Sequence, residues 1–233
     1  MLRREMNNKL LLLSLFWIVS AFANENYKSQ AGQDKLVNEL FFHDKKDGFY
    51  LDIGAHDGQS FSNTYYFDRL GWQGLAIEPL PHLFEKLEQC RSCICVNACV
   101  SATQGTVPFL HLDCCDEMLS GMCGTYDERQ LAIVMNDIAQ FGGEAKILQL
   151  PAVRLDTLLE KYGITHIDFM SLDTEGSELE ILQTIDFSKV TIDVITVENN
   201  YNEQPLKDFL CAHGFILLTH LHVDDIFVRI GFI

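Results

Sequence analysis

Four apolar segments, each with an acidic residue at or near its carboxyl end, constrain this chain most. They are FYLDIG (49–54), GLAIEP (74–79), HIDFMSLD (166–173) and TIDVITVE (191–198). Each is apolar on both faces, as a strand buried between two helical layers must be. The stretches between them carry apolar residues at helical spacing, for example Leu83, Phe84 and Leu87 in PHLFEKLEQC and Leu179, Ile181 and Leu182 in SELEILQTI. Strands alternating with helices give a parallel sheet with right-handed crossovers. The last two strand-like segments, FILLTHL and DDIFVRI, have no helix between them and read as an antiparallel hairpin at one edge. The expected architecture is an α/β, Rossmann-like, seven-stranded, mostly parallel sheet with one antiparallel strand.

The remaining segments follow this frame. Helices are expected from about Gln33, from Asn63 to Leu70 and over QPLKDFLCAHG, and CICVNACVS (93–101) reads as a single third strand. GTVPFLHLD (105–113) is an added β segment, and LQLPAVRLDTLLEKYG is a β segment followed by a helix. The region from about Cys114 to Gln149 is the least regular, with a helical stretch near Glu128 to Ala139, and reads as a substrate-facing insertion.

An apolar strand tip is a costly place for a carboxylate unless it is solvated, paired or used on a ligand. Open α/β sheets bind ligands at these carboxyl ends. The candidates there are Asp52, Gly54, Ala55, His56 and Gly58 after the first strand, Glu78 after the second, Asn97 after the third, Asp173 and Glu175 after the fourth, and Glu198 after the fifth. Glu78 stands 24 positions beyond Gly54, close to the ~20-residue spacing that lets an acid reach ribose hydroxyls. The loop reads D-x-G-x-x-x-G, without the third glycine of a dinucleotide fingerprint, so a pyrophosphate and an NAD-type oxidoreductase are disfavoured. An acid before the turn suits a cationic ligand instead, such as the sulfonium of S-adenosylmethionine. His56 sits where an unusual backbone angle is needed. Glycines 54 and 58 are read as letting backbone approach the ligand without a Cβ in the way.

At these residues the sequence resembles the FkbM-type methyltransferases. SQAGQDKLV, GFYLDIGAHDGQSFSNT, GWQGLAIEPLPHLFEKL, VRLDTLL and IDFMSLDTEGSELEIL carry the resemblance in that order, over nearly all of the chain from Ser29. It implies a class I methyltransferase fold, S-adenosylmethionine as donor, and methylation of a hydroxyl oxygen on a sugar or small natural product. It also implies that Asp52, Gly54 and Gly58 form the cofactor loop, that Glu78 holds the ribose, and that Asp173 and Glu175 edge the active site. Many members carry lysine where Ser171 stands here. Transfer to a hydroxyl needs a group that accepts its proton, and Asp173, Glu175 and His56 are the candidates. No metal-ligand set is evident from spacing, although a divalent ion could polarise the acceptor if Asp173 and Glu198 converge. The alternative function is an exported, cofactor-binding or degenerate version of the fold used for recognition without turnover.

Charge and the amino terminus narrow the partners. Thirty-three acidic against 17 basic residues give a formal net charge of −16, which repels nucleic acid and anionic membrane surfaces. The acceptor is therefore expected to be a small molecule or glycan. Arg3, Arg4 and Lys9, the apolar run Leu10–Val19 and Ala21-Phe22-Ala23 have the layout of a secretory signal peptide over residues 1–23. The run is short of the ~20 residues that span a bilayer. An uncleaved anchor over residues 10–23 is the runner-up, with a cytoplasmic chain the third option if the start is misassigned. The methyltransferase domain would then run from 24 to 233. Eight cysteines after such a leader are read as buried thiols or one or two disulfides rather than a metal site.

Overall fold

The computed structural model describes residues 26–113 and 117–232. The leader, Cys114 and Cys115 lie outside the described residues. Among the described residues, no helix is long and apolar enough to cross a membrane.

A short helix, α1 (Gln33–Val37), continues as a wider turn over Asn38–Phe42 and leads into β1 (Phe49–Ile53). There follow α2 (Tyr65–Leu70), β2 (Gln73–Ile77), α3 (Pro81–Cys90), β3 (Ile94–Val96), β4 (Cys99–Val100), β5 (Gly105–Asp113), β6 (Gly121–Met122) and α4 (Glu128–Phe141). The chain closes with β7 (Glu144–Val153), α5 (Leu155–Tyr162), β8 (His166–Leu172), α6 (Glu178–Leu182), β9 (Thr191–Glu198), α7 (Gln204–Ala212), β10 (Phe215–Leu221) and β11 (Asp224–Arg229).

Seven strands form the main sheet in the order β10-β11-β9-β8-β1-β2-β3. All neighbours are parallel except that β11 runs antiparallel to both β9 and β10. The α/β sheet expected from the sequence is therefore the one observed. Alternate residues of its central strands feed two cores. Leu51, Ile53, Met170, Leu172 and Ile195 join the aliphatic one, while Tyr50, Phe169 and Val194 join an aromatic one with Phe42, Phe67 and Trp72. This period of two is the physical origin of the continuous apolar strands.

Two expectations need correction. Residues 93–101 are not one strand. Val96 ends β3 by accepting Glu78 N–H at 3.1 Å, and the Asn97 amide turns aside to donate to the carbonyls of Glu78 (2.8 Å) and Pro79 (3.0 Å). The chain thereby leaves the main sheet, and β4 joins a second one.

Nor is 114–149 irregular throughout. The second sheet has the order β4-β7-β5-β6, and β5 pairs antiparallel with β7 from Gly105 opposite Ala152 to Asp113 opposite Glu144. Strand β7 thus begins inside the stretch read as an insertion, just after α4, the helix expected near Glu128 to Ala139. Leu148, Leu150 and Ala152 alternate inward to pack on Phe109, Leu80 and Leu83. The second sheet is a half-buried wall standing beside the carboxyl ends of β2 and β3.

Candidate active site

Strand order reverses between β1 and β8, since β1 continues to β2 on one side while β8 continues to β9 on the other. Ligands of open α/β sheets bind at such a switch point. Here the register sets Ile53 opposite both Ile77 and Leu172, so the next residues, Gly54, Glu78 and Asp173, emerge at one level. A cavity with about 970 Å³ of empty space, open solvent at its mouth included, lies against them. Its wall includes Asp52, Gly54, Ala55, His56, Glu78 and Asp173, and Glu175 joins them.

The glycines answer different needs from the one expected. Gly54 has φ +86°, and a Cβ there would stand 1.8 Å from the Asp173 carbonyl oxygen. Close approach of two strand ends, not of a ligand alone, excludes a side chain. At Gly58 a Cβ would meet Leu87 Cδ1 of α3 at 2.9 Å. Gly58 lies outside the cavity wall, as does Asn97, and both support the site from behind.

Glu78 is 5% exposed. Its Oε2 accepts the His56 N–H at 2.9 Å and its Oε1 the Leu80 N–H at 2.8 Å, so one side chain ties the first loop to the second. Each oxygen keeps lone-pair capacity for one more donor. Burial raises the carboxyl to about 7 against the pull of those two N–H groups. His56 adopts φ +50°, the unusual angle the sequence called for. Burial lowers its imidazole pKa against the pull of Asp57, whose Oδ1 stands 3.7 Å from Nδ1, and Asn63 Oδ1 has no hydrogen-bond partner among the described residues. Both residues belong to the cavity wall.

Asp52 is not a free acid awaiting a cation. It shares the Tyr50 face of β1 and accepts the Thr64 hydroxyl and, at 3.4 Å, Arg91 Nη2. The fully buried Arg91 side chain also donates to Gly58 O (2.5 Å), Ser62 Oγ (2.6 Å) and Tyr50 Oη (3.2 Å). Sequence reasoning missed Arg91. A lone arginine at the end of an amphipathic helix reads as solvated, and only the packing of α3 beneath the loop reveals its place.

Across the cavity, Asp173, Glu175 and Glu198 bring one carboxylate oxygen each within 4.8 Å of one another. The convergence of Asp173 and Glu198 raised from the sequence is thus real, with Glu175 as a third member. Asp173 is the exposed member of the three and lines the first cavity, while Glu175 and Glu198 are buried. Burial, then the neighbouring acids, raise Asp173 and Glu198 well above the ordinary carboxylate range, and Glu175 to about 7. Three carboxyls this close cannot all ionise cheaply, so they share protons near neutrality.

Glu178, at the start of α6, holds the loop that carries Asp173 and Glu175. Its carboxylate accepts Thr174 N–H (2.8 Å), Thr174 Oγ1 (2.8 Å) and Gly176 N–H (3.1 Å). Glu175 is held at φ +60° by the insertion. Gln130 Nε2 of α4 donates to its carboxylate at 2.6 Å, and Thr125 Oγ1 donates to its carbonyl at 3.2 Å. A second cavity opens on the far side of the trio, lined by Gln130, Glu178, Glu198, Asn199, Asn200 and Tyr201.

These raised carboxyls make a prediction about the ligand-free chain. A carboxyl whose folded pKa exceeds its unfolded value contributes stability that is fully present below the unfolded pKa and lost as pH rises through the folded one. For Glu78 and Glu175 that window runs from 4.5 to about 7. Thermal denaturation should give a higher Tm near pH 5 than near pH 8, and Glu78→Gln should flatten the slope. A Tm that climbs steadily from pH 5 to 8 would contradict the burial of these acids.

A model of the methyltransferase FkbM domain matches residues 52–232. Similar solved structures include a TehB-like SAM-dependent methyltransferase from Corynebacterium glutamicum (9% identity, 97% of this chain and 99% of that one, TM-score 0.45). The fibrillarin pre-rRNA processing protein of Methanococcus jannaschii matches at 12% identity over 81% of this chain and 69% of that one, TM-score 0.44. The precorrin-6y C5,15-methyltransferase of Geobacter metallireducens matches at 13% identity over 89% and 91%, TM-score 0.42. No curated protein matches.

Proposed function

This chain belongs to the FkbM methyltransferase family, and from that membership we propose that it binds S-adenosylmethionine in the first cavity and methylates a hydroxyl oxygen of a sugar or small natural product. The observation that carries the reading is Glu78. It is a buried carboxylate at the switch point whose two oxygens are aimed by backbone N–H groups and keep capacity for two ribose hydroxyls. Asn63 Oδ1, without a hydrogen-bond partner among the described residues, lies on the same wall and also calls for a polar ligand. Leu80, Leu83, Phe109 and Met118 supply an apolar wall suited to a purine.

S-adenosylmethionine, when bound, supplies an electrophilic methyl group on a sulfonium. The protein's own contribution is position and proton transfer. Between the two cavities, the Asp173, Glu175 and Glu198 trio is placed to accept the acceptor's proton, and raised carboxyls are the more effective bases near neutral pH. The second cavity, with Asn199, Asn200 and Tyr201 beside Glu198, offers amides and a phenol to a polyhydroxylated acceptor.

Calorimetric titration of the full chain with S-adenosylhomocysteine tests the proposal. Binding is expected, and Glu78→Ala should weaken it about 100-fold or more, since two hydrogen bonds to a charged group contribute roughly 1.5–3 kcal/mol each. Affinity unchanged in a folded Glu78→Ala variant would sink the reading. Binding without methylation of any hydroxylated acceptor would favour a recognition module.

A further inference from the structure

We propose that His82, His111 and Glu117 form a zinc site at the rim of the first cavity. The three residues come from separate parts of the fold: His82 from the first turn of α3, His111 from near the carboxyl end of β5, and Glu117 from the short turn Glu117–Leu119. Both imidazoles point Nε2 at the same oxygen, Glu117 Oε1, at 2.6 Å from His82 and 2.8 Å from His111. The two rings are tilted by 53° with centroids 5.5 Å apart, so they converge on that oxygen rather than stack.

Two imidazole nitrogens and one carboxylate oxygen are the donor set that zinc takes in three-ligand sites, with the fourth position left to water. All three ligand atoms lie within 4.8 Å of one another. Tetrahedral zinc with bonds near 2.0–2.1 Å holds its ligands roughly 3.3 Å apart, so the side chains need only a small outward rotation. The backbone beneath the two histidines is fixed. Leu83 and Leu87 are buried under α3, and β5 is paired along its length with β7. His82 is half-exposed, which leaves an open side for the fourth ligand.

Other clusters of similar composition do not compare. His166, Asp168 and Asp193 also converge, but Lys45 holds Asp168 at 2.7 Å and Arg229 holds Asp193 at 2.7 Å, so protein cations occupy that set. The Asp173 trio offers carboxylates alone and belongs to the proposed active site. Among the described residues, the ion-pair partners of Glu117 are the two histidines.

A bound ion would tie α3, which starts just beyond the Glu78–Leu80 turn, to the second sheet. It would also pin the 117–119 turn, whose Glu117 and Met118 face the cavity. The proposal does not depend on the methyltransferase reading, and zinc binding is measured without donor or acceptor.

Titration of the metal-stripped full chain with Zn²⁺ by calorimetry should show one ion bound with micromolar or tighter affinity, and zinc should raise Tm. Removing a group that merely orients a ligand costs about 10–100-fold in metal affinity, so His82→Ala and the His82→Ala/His111→Ala pair should lose more than about 100-fold. Co²⁺ added to the unaltered chain should give the intense visible bands of four-coordinate nitrogen and oxygen ligation. This measurement holds even if the paired variant fails to fold. Absence of zinc binding, binding undiminished in either histidine variant, or cobalt spectra carrying thiolate charge transfer from Cys93 and Cys95 would each overturn the proposal.

Discussion

Gly54→Ala should cost more than about 4 kcal/mol of stability and abolish measurable S-adenosylhomocysteine binding. Two effects act at once. A left-handed backbone at φ +86° costs an L-residue about 1–2 kcal/mol. The larger effect is steric: the new Cβ would stand 1.8 Å from the Asp173 carbonyl oxygen, which is backbone and cannot rotate away. Relief requires the tips of β1 and β8 to separate. That breaks the Asp173 N–H bond to Ile53 O (3.0 Å) and moves Asp173 away from Glu78 and the first loop. Losses of this size come from a short set of mechanisms, and a backbone clash at a constrained φ is one of them. Urea denaturation and calorimetry check the two halves. Gly58→Ala is the control: at φ +84° it carries the same left-handed cost of about 1–2 kcal/mol, but its nearest atom is the rotatable Leu87 Cδ1, so an overpacking cost of about 1–3 kcal/mol replaces the backbone clash and the total loss should be smaller. Equal losses at both positions would mean that the strand-tip contact is not what excludes a side chain.

Arg91→Met should be nearly as damaging, at about 3–5 kcal/mol. Methionine fills much of the volume, so the loss reads the charge rather than a cavity. The wild-type guanidinium satisfies Gly58 O, Ser62 Oγ and Tyr50 Oη while offsetting the buried Asp52. Without it, Asp52 is a desolvated carboxylate with Thr64 as its remaining donor. Asp52→Asn added to Arg91→Met should recover part of the loss, because the uncompensated charge disappears. A single-variant loss under 1 kcal/mol, or no recovery in the pair, would show that the ion pair does not organise the loop. The chemical consequence matters as much as the stability. Asp52 has its own cation within the fold, so it offers little negative potential to a ligand.

How much of this was legible in the sequence depends on which physical signal each residue left. Parallel strands buried on both faces wrote themselves as apolar runs, and their carboxyl ends as acids. The positions of Glu78, Asp173, Glu175 and Glu198 at the strand ends were therefore legible, and so was the conformational demand at His56. The boundary at Asn97 was hidden because CICVNACVS continues the apolar pattern through the break, and the break is made by an amide reaching another segment's carbonyls. Strand β7 was partly visible in the alternation of Leu148, Leu150 and Ala152, but Gly142 and Gly143 beside it favoured a loop reading. His82, His111 and Glu117 left no signal, since 29 residues separate the two histidines.

The sequence by itself determined the architecture and the tips where chemistry gathers, because strand periodicity and the cost of burying acids are local and act on every chain alike. Only the tertiary structure decided which groups meet. It put Arg91 under Asp52, Asp173's carbonyl against Gly54, Gln130 on Glu175, and two distant imidazoles on one carboxylate. Those pairings depend on how separate elements pack, and packing distances are not encoded in spacing along the chain.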